Sequence, residues 1–206
     1  MTTDKNNATI KIAVFASGAG SNARKLIEHF NSTISSPLSK GIEVALVVSN
    51  KIDAGVLQIA AEFQIPTLII EKEKFFRGNG YVDELKQSGI DFVVLAGFLW
   101  KIPSTLVQAY AGAMVNIHPA LLPKYGGKGM YGNFVHEAVI ANKEPESGIT
   151  IHMVDEVFDN GAHLFQATCP VLADDTPATL AQRIHQLEHA HYPRVVEETI
   201  RKTGKA

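Results

Sequence analysis

The segment Met114-Val-Asn-Ile-His-Pro-Ala-Leu-Leu-Pro-Lys124 decides how the rest of the chain is interpreted. Its start, residues 114–117, is mostly apolar and predicts a buried strand with polar groups at the C-terminal end. Side chains two positions apart on a strand point the same way, so Asn116 and His118 should project together. Pro119 restricts His118 to an extended backbone. An amide beside an imidazole suits a reaction at a carbonyl, because one group can stabilise an oxyanion while the other moves a proton. A strand end with a surface histidine is the alternative.

Composition describes an ordinary globular chain. The 206 residues are 46% hydrophobic with a formal net charge of −2, which predicts one sizeable core and no field for nucleic-acid binding. No apolar run is long enough to cross a bilayer, so no membrane association is expected. Met1 to Ala8 is polar, is expected to fray and lacks the features of a secretory leader. The single cysteine, Cys169, fits a reducing, cytoplasmic location. Without repeats or linkers, residues 1–206 are predicted to form one domain.

A glycine-rich motif, Ser17-Gly-Ala-Gly-Ser-Asn22, lies between an apolar strand pattern and a helical pattern. This order favours an anion site at a helix N-terminus. The two glycines would let the backbone approach a ligand, and the Ser and Asn can cap the helix or donate. The next strand ends in Ser49-Asn-Lys51, without an acid for a ribose diol, which favours a single phosphate over a dinucleotide. A tight turn without a ligand is the alternative.

Apolar runs alternate with helical patterns along the chain, which predicts an α/β fold. We expect an open, mostly parallel twisted sheet with helices on both faces, a Rossmann-like arrangement, and antiparallel strands towards the C-terminus. The predicted strands span residues 10–16, 44–48, 67–70, 92–95, 114–117, 147–154 and 163–168, and the predicted helices follow residue 22 and span residues 54–63, 81–87, 104–110, 135–141 and 176–199.

Two loops and one aromatic residue are further candidates. The glycine-rich segment Gly126 to Phe134 is flexible enough for a lid, unless it is only a mobile connection. Asp159 precedes Asn-Gly and should hang from a turn, where its carboxylate could orient and charge an imidazole. An Asx turn is the more common role for such a residue. Trp100 follows the fourth strand, where it can belong either to the core or to a pocket wall.

Two other classes of protein fit parts of the sequence. His185-Gln-Leu-Glu188-His189 matches the H-x-x-E-H pattern of a zinc peptidase, and His191 could add a ligand. No downstream acid with a clear ligand context supports that interpretation. A nucleotide-binding module without catalysis would also explain the glycine-rich motif, but it leaves Asn116, His118 and Asp159 without a role.

Together the motifs resemble the folate-dependent phosphoribosylglycinamide formyltransferase family, over residues 11–195. The shared features are Ser17-Gly-Ala-Gly-Ser-Asn22, Leu95-Ala-Gly-Phe98, Asn116-Ile-His-Pro-Ala-Leu-Leu-Pro-Lys-Tyr125, Asp159 in its turn, and Glu188-His-Ala-His-Tyr-Pro193. Methionyl-tRNA formyltransferases and formyltetrahydrofolate deformylases share the Asn–His–Asp set, but they are expected to carry an additional domain. The phosphate motif and the length of the chain favour the glycinamide family.

The resemblance implies formyl transfer from 10-formyltetrahydrofolate to the amine of glycinamide ribonucleotide, N1-(5-phospho-D-ribosyl)glycinamide, in de novo purine (IMP) biosynthesis. It implies no metal. Asn116, His118 and Asp159 would be catalytic, with Asp159 keeping His118 protonated. The pKa of His118 is therefore expected to lie above that of a free histidine.

The resemblance also implies the binding residues. The N-terminal half, about residues 9–110, would hold the phosphate, and the C-terminal half, about residues 111–200, would hold the catalytic and folate-binding groups. The family commonly has Met-Arg-Ile-Leu where this chain has Leu99-Trp-Lys-Ile102, and the lid is longer here. By position, the implied groups are Gly20, Ser21 and Asn22 for the phosphate, Glu188 for the ribose, Leu99, Trp100, Lys101, Ile102 and Val154 for the folate, and His152 in support.

Overall fold

A computed structural model of the chain describes residues 9–31 and 41–203. The predicted fraying of Met1 to Ala8 lies outside these residues. The strands are β1 (Ile10–Phe15), β2 (Ile42–Ser49), β3 (Thr67–Ile69), β4 (Phe92–Leu95), β5 (Met114–His118), β6 (Glu146–Met153) and β7 (His163–Pro170). The helices are α1 (Ser21–Asn31), α2 (Gly55–Glu62), α3 (Lys72–Arg77), α4 (Val82–Gln87), α5 (Ser104–Ala109), α6 (Asn133–Ala141) and α7 (Pro177–Lys202).

The seven strands form one sheet in the order β3-β2-β1-β4-β5-β6-β7. Pairing is parallel from β3 to β5 and antiparallel between β5, β6 and β7, so the predicted fold class is confirmed. Every residue of β4 is buried, as expected for a central strand covered on both faces. Strand β1 lies between β2 and β4; β2 and β3 continue the sheet on one side of β1, and β4 and the later strands continue it on the other. The strand order therefore reverses at β1, and open α/β sheets bind ligands at the carboxyl end of such a point.

Helix α7 connects the two halves of the sheet. Its N-terminus has the reciprocal hydrogen bonds of a capping box between Thr176 and Thr179, with Pro177 in the first turn. Further along, the buried hydroxyl of Tyr192 donates to the carbonyl of Leu95 at 2.8 Å. The end of β4 and the middle of α7 are therefore joined by a buried hydrogen bond.

Within the described residues, no helix is both long and apolar enough to cross a membrane.

Helix α3 is absent from the sequence-based prediction. It has six residues, and its polar start Lys72-Glu-Lys gives no amphipathic period. What stabilises it is tertiary: Phe75 is fully buried and its ring lies 5.9 Å from that of Phe98. Contacts of this kind, between residues distant in sequence, cannot be obtained from local periodicity.

We expect Tyr192→Phe to lower the free energy of unfolding by about 1 kcal/mol, because the substitution removes a buried hydrogen bond to the Leu95 carbonyl. The measurement is the midpoint of urea-induced unfolding at an unchanged slope. Tyr131→Phe is the matched control, since Tyr131 is 45% exposed. Equal midpoints for the wild type and Tyr192→Phe would contradict the role given to this bond.

Candidate active site

A cavity of about 750 Å³ opens at the carboxyl ends of β1, β4 and β5. Its wall comes from the glycine-rich turn after β1, the loop after β4, the end of β5, the loop before α6, the turn after β6, and one face of α7. Every residue implied for the catalytic, phosphate, ribose and folate sites lines this one cavity; these are Gly20, Ser21, Asn22, Leu99, Trp100, Lys101, Ile102, Asn116, His118, Val154, Asp159 and Glu188.

Asn116, His118, His152 and Asp159 form one polar cluster at the end of β5. The Nδ1 atom of His118 lies 3.7 Å from Oδ2 of Asp159, and Nε2 of His152 lies 3.6 Å from Oδ1. Asn116 pairs with His152 across the antiparallel β5–β6 ladder, and their Nδ2 and Nε2 atoms are 3.1 Å apart. The sequence assigned His152 only a supporting position. In the structure it contacts both Asn116 and Asp159.

The hydrogen bonds assign the ring nitrogens. The Nδ1 atom of His152 is 2.8 Å from the carbonyl of Met153, which can only accept, so Nδ1 carries a hydrogen. In the neutral ring, Nε2 then accepts from the amide of Asn116, and that contact turns the Asn116 nitrogen towards the ring. By the same argument, Nε2 of His118 donates to the carbonyl of Tyr125 at 2.7 Å. Asn116 has a second amide hydrogen, which can donate to a ligand.

The expected pKa of His118 is wrong. Burial lowers the pKa of His118 below its ordinary value, and this effect outweighs the Asp159 charge and the Tyr125 carbonyl, which both raise it. Burial also acts to raise the pKa of Asp159, but His152, the charge of His118 and the Gly127 amide outweigh it and hold that pKa below its usual range. The free site therefore pairs a charged carboxylate with an imidazole that is easily deprotonated.

The loop from Gly126 to Phe134 is attached directly to the polar cluster. The Gly127 amide donates to Oδ2 of Asp159 at 2.8 Å. Asp159 is therefore not the residue that forms an Asx turn. That role belongs to Asp155, whose Oδ1 accepts from the Val157 amide at 2.8 Å. This leaves the Asp159 carboxylate directed at the two histidines and the loop.

Ser17 joins the glycine-rich turn to the loops beside it. Its hydroxyl donates to Asn50 Oδ1 at 2.6 Å and accepts from the Leu99 amide at 2.9 Å. By helix geometry, the first amides of α1, from Ser21 onward, have no intrahelical acceptor and can donate to an anion. Gly18 lines the cavity, and a Cβ added at this position would meet no atom within 4 Å.

Glycine is required at position 20 for a reason that does not involve a ligand. Its φ is +81°, and a Cβ at this position would lie 2.7 Å from Cβ of Val56 on α2. The requirement for glycine therefore arises from packing against α2 and from a left-handed backbone, in addition to any approach of a ligand. Substitution of Gly20 would disturb the turn itself.

At the opposite wall, Asn22 contacts Glu188 on α7. The Asn22 Nδ2 atom donates to Oε2 of Glu188 at 2.8 Å, and both side chains are buried. Burial raises the pKa of Glu188, and this outweighs the hydrogen bond from Asn22 and the charge of His185. The zinc interpretation gains no support, because in the described part of the chain no group of three or more His, Cys, Asp or Glu residues is placed to hold a metal.

The segment Leu99–Ile102 forms an apolar wall. The Trp100 ring lies 5.7 Å from that of Phe75 and 5.5 Å from that of Phe76, so Trp100 belongs both to an aromatic cluster and to the cavity wall. The Lys101 ammonium lies 5.5 Å from the centre of the Phe158 ring, and this contact joins the segment to the turn after β6. A flat aromatic ligand would have stacking surfaces here.

The sequence interpretation omitted His136, which lines the cavity from α6 and is only 3% exposed. Burial lowers its pKa to about 4, and the charges of His185 and His118 add to this effect. A histidine at a buried position of an otherwise apolar helix face, beside Val135 and Val139, was the available signal. Lys51, two residues after the end of β2, has no role in the sequence-based prediction, but it also lines the cavity.

The formyl transferase family matches residues 10–196. The sheet order and the polar cluster at the end of β5 lie within this span. The chain belongs to the formyl transferase family.

Its relatives in that family carry a more specific name. The chloroplastic phosphoribosylglycinamide formyltransferase of Arabidopsis thaliana is 46% identical over 191 residues, which cover 90% of this chain and 64% of the relative. The trifunctional purine biosynthetic protein adenosine-3 of Drosophila melanogaster is 39% identical over 94% of this chain, which spans 14% of that protein. The crystal structure of phosphoribosylglycinamide formyltransferase from Bacillus halodurans superimposes with a TM-score of 0.82 at 34% identity, covering 94% of this chain and 96% of the other.

The pKa of His136 predicts a pH-dependent stability. Its folded-state pKa of about 4 lies below the unfolded value, so between these two values the unfolded chain binds more protons and the wild type loses stability as pH falls. Relative to His136→Leu, we expect a loss of up to about 1.4 kcal/mol per pH unit between about pH 6.5 and 4. Urea denaturation of both proteins at several pH values measures this difference, and parallel pH profiles would contradict it.

Proposed function

We propose that this chain transfers the formyl group of 10-formyltetrahydrofolate to the amine of glycinamide ribonucleotide, in de novo purine biosynthesis. The observation that carries the proposal is the cluster of Asn116, His118 and Asp159, which opens on the same cavity as the glycine-rich turn. Membership of the formyl transferase family and the names of the relatives support the same reaction.

In the proposed reaction the acceptor amine bonds to the formyl carbon, and the carbonyl oxygen becomes an oxyanion. The free amide hydrogen of Asn116 is suited to stabilise that oxyanion, because His152 fixes the amide orientation. The bond between the formyl carbon and the folate nitrogen then breaks, and one proton passes from the amine to the departing nitrogen. His118 is the group available to carry it.

A lowered pKa suits His118 to this proton transfer. The free imidazole is neutral and can accept the proton that the attacking amine loses. The imidazolium that forms is stabilised by the Asp159 carboxylate, 3.7 Å from Nδ1. In this proposal Asp159 acts mainly after the proton has moved, which differs from a histidine held charged throughout.

Binding roles follow the walls of the cavity. Gly20, Ser21 and Asn22 are proposed to hold the phosphate at the start of α1, and Glu188 the ribose. Leu99, Trp100, Lys101, Ile102 and Val154 are proposed to hold the folate. We further propose one formyltransferase domain over residues 1–206, acting in the cytoplasm on small molecules; the single shared sheet and the free, buried Cys169 are consistent with this.

The direct test is an assay with purified protein, 10-formyltetrahydrofolate and glycinamide ribonucleotide. Formylated product should appear in proportion to the folate consumed. Hydrolysis of the folate without acceptor should be slow. Rapid hydrolysis without acceptor would assign the chain to a deformylase activity instead.

We expect Asp159→Asn to lower kcat by about 100-fold or more, because the imidazolium formed at His118 loses its carboxylate partner. The KM for the acceptor should change little, since the phosphate and ribose contacts lie elsewhere in the cavity. Asp83→Asn, at an exposed position on α4, controls for the change in net charge. Turnover of Asp159→Asn near that of the wild type would contradict the proposed mechanism.

The phosphate should dominate recognition of the acceptor. Each lost charge-assisted hydrogen bond is worth about 1.5–3 kcal/mol, so the dephosphorylated acceptor should have a kcat/KM at least about tenfold lower per bond. Gly18→Val places a side chain in open space before α1 and should reduce this preference while leaving the turn intact. The measurement is kcat/KM for both acceptors with both proteins. Equal values for the two acceptors with the wild type would contradict a phosphate site.

A further inference from the structure

Two buried polar atoms of the cavity have no hydrogen-bond partner among the described residues: Oδ1 of Asn22 and Nδ1 of His136. The side chains of both residues line the cavity, and they are 8% and 3% exposed. A buried polar atom without a partner is unfavourable, and native structures contain few of them. Two in one cavity are explained if a bound ligand supplies their partners.

Both residues belong to helices that pack against α7, Asn22 to α1 and His136 to α6. Asn22 donates to Glu188 at 2.8 Å, which places the Asn22 side chain beside that carboxylate. His136 enters from α6, which packs against α7. His185 on α7 is close enough to both His136 and Glu188 for its charge to affect their pKa values. Asn22, His136 and Glu188 therefore line the same cavity from three helices that pack together, and His185 connects His136 and Glu188 electrostatically.

The chemistry of these groups selects a neutral ligand with hydroxyl groups. With a pKa of about 4, His136 is uncharged near neutral pH and offers one donor and one acceptor. Glu188 accepts hydrogen bonds and would repel an anion. The amide oxygen of Asn22 can only accept. One hydroxyl can donate to a carboxylate or amide oxygen, while its neighbour exchanges a hydrogen bond with a neutral imidazole. A vicinal diol satisfies all three groups.

We propose that His136 is a further substrate-binding residue, whose neutral imidazole holds one hydroxyl of the acceptor ribose while Glu188 holds the other. This inference rests on the proposed acceptor, because a ribose with both hydroxyls free is what that acceptor would bring to the cavity. It adds to the proposed function a group on α6 that distinguishes a ribose from a deoxyribose.

Kinetics with acceptors that lack one hydroxyl test the contact. His136→Leu should lower kcat/KM for the ribose acceptor at least about tenfold. His136→Asn, which keeps a donor and an acceptor near the Nδ1 position, should retain most of the activity. One of the two deoxy acceptors, 2′-deoxy or 3′-deoxy, lacks the hydroxyl that contacts His136. With that acceptor, the wild type and His136→Leu should have nearly equal kcat/KM.

A matched control separates a contact from a structural effect. His191→Leu changes a histidine of α7 whose ring lies against Phe165, 4.7 Å between centroids, away from the cavity. It should lower kcat/KM equally, if at all, for all acceptors. His136→Leu should unfold at a temperature no lower than the wild type, since it removes a buried atom without a partner. Equal losses of His136→Leu on the ribose and both deoxy acceptors would overturn the inference.

A binding experiment does not depend on formyl transfer or on the folding of any variant. The ring-nitrogen NMR signals of His136 in the wild type should shift when ribose 5-phosphate is added to saturation. One of the two compounds 2-deoxyribose 5-phosphate and 3-deoxyribose 5-phosphate should shift them much less, because it lacks the hydroxyl that contacts His136. No binding, or binding that leaves the His136 ring unchanged, overturns the inference even if formyl transfer is observed. A His136 shift in a protein without formyl transfer would overturn only the proposed reaction.

Discussion

The side chain of Asp159 is 11% exposed, and a buried carboxylate is unfavourable unless charges and hydrogen bonds compensate for the lost water. The compensation comes from the Gly127 amide of the loop before α6, which donates to Oδ2, and from the protonated form of His118 on β5, whose Nδ1 lies 3.7 Å away; Nε2 of His152 on β6 lies 3.6 Å from Oδ1. His118 and Gly127 are both far from Asp159 in sequence. This one carboxylate therefore lies against both imidazoles, and through His152 it is linked to the Asn116 amide.

Elsewhere in the cavity, buried polar atoms lack such compensation. There the buried Asn22 and His136 atoms are left without partners, although an apolar replacement would remove this unfavourable term. Such local inconsistency is expected where a surface is shaped for a ligand. The cavity thus combines a polar cluster around Asp159, in which the groups contact one another, with buried polar atoms of Asn22 and His136 that have no partner among the described residues.

The fold and the location of the site followed from local patterns. The strand, glycine turn and helix around Ser17 and the strand ending at His118 are recorded in contiguous residues, and parallel pairing then brings their carboxyl ends together. The pKa of His118 was mispredicted because sequence shows its charged neighbour but not the depth of its burial. Helix α3, the clash that a side chain at Gly20 would make with Val56, the position of His136 and the contacts of His152 with Asn116 and Asp159 were not predicted, because most of them depend on contacts between distant segments.

The bond between the Gly127 amide and Asp159 has a consequence for the movement of the glycine-rich loop. This amide contributes to the low pKa of Asp159, so any displacement of the loop that withdraws it makes the carboxylate easier to protonate. Linkage is reciprocal, and a proton on Asp159 must weaken the attachment of the loop to the same degree. Displacement of the loop and protonation of Asp159 therefore favour each other, so acid weakens the attachment of the loop to the polar cluster.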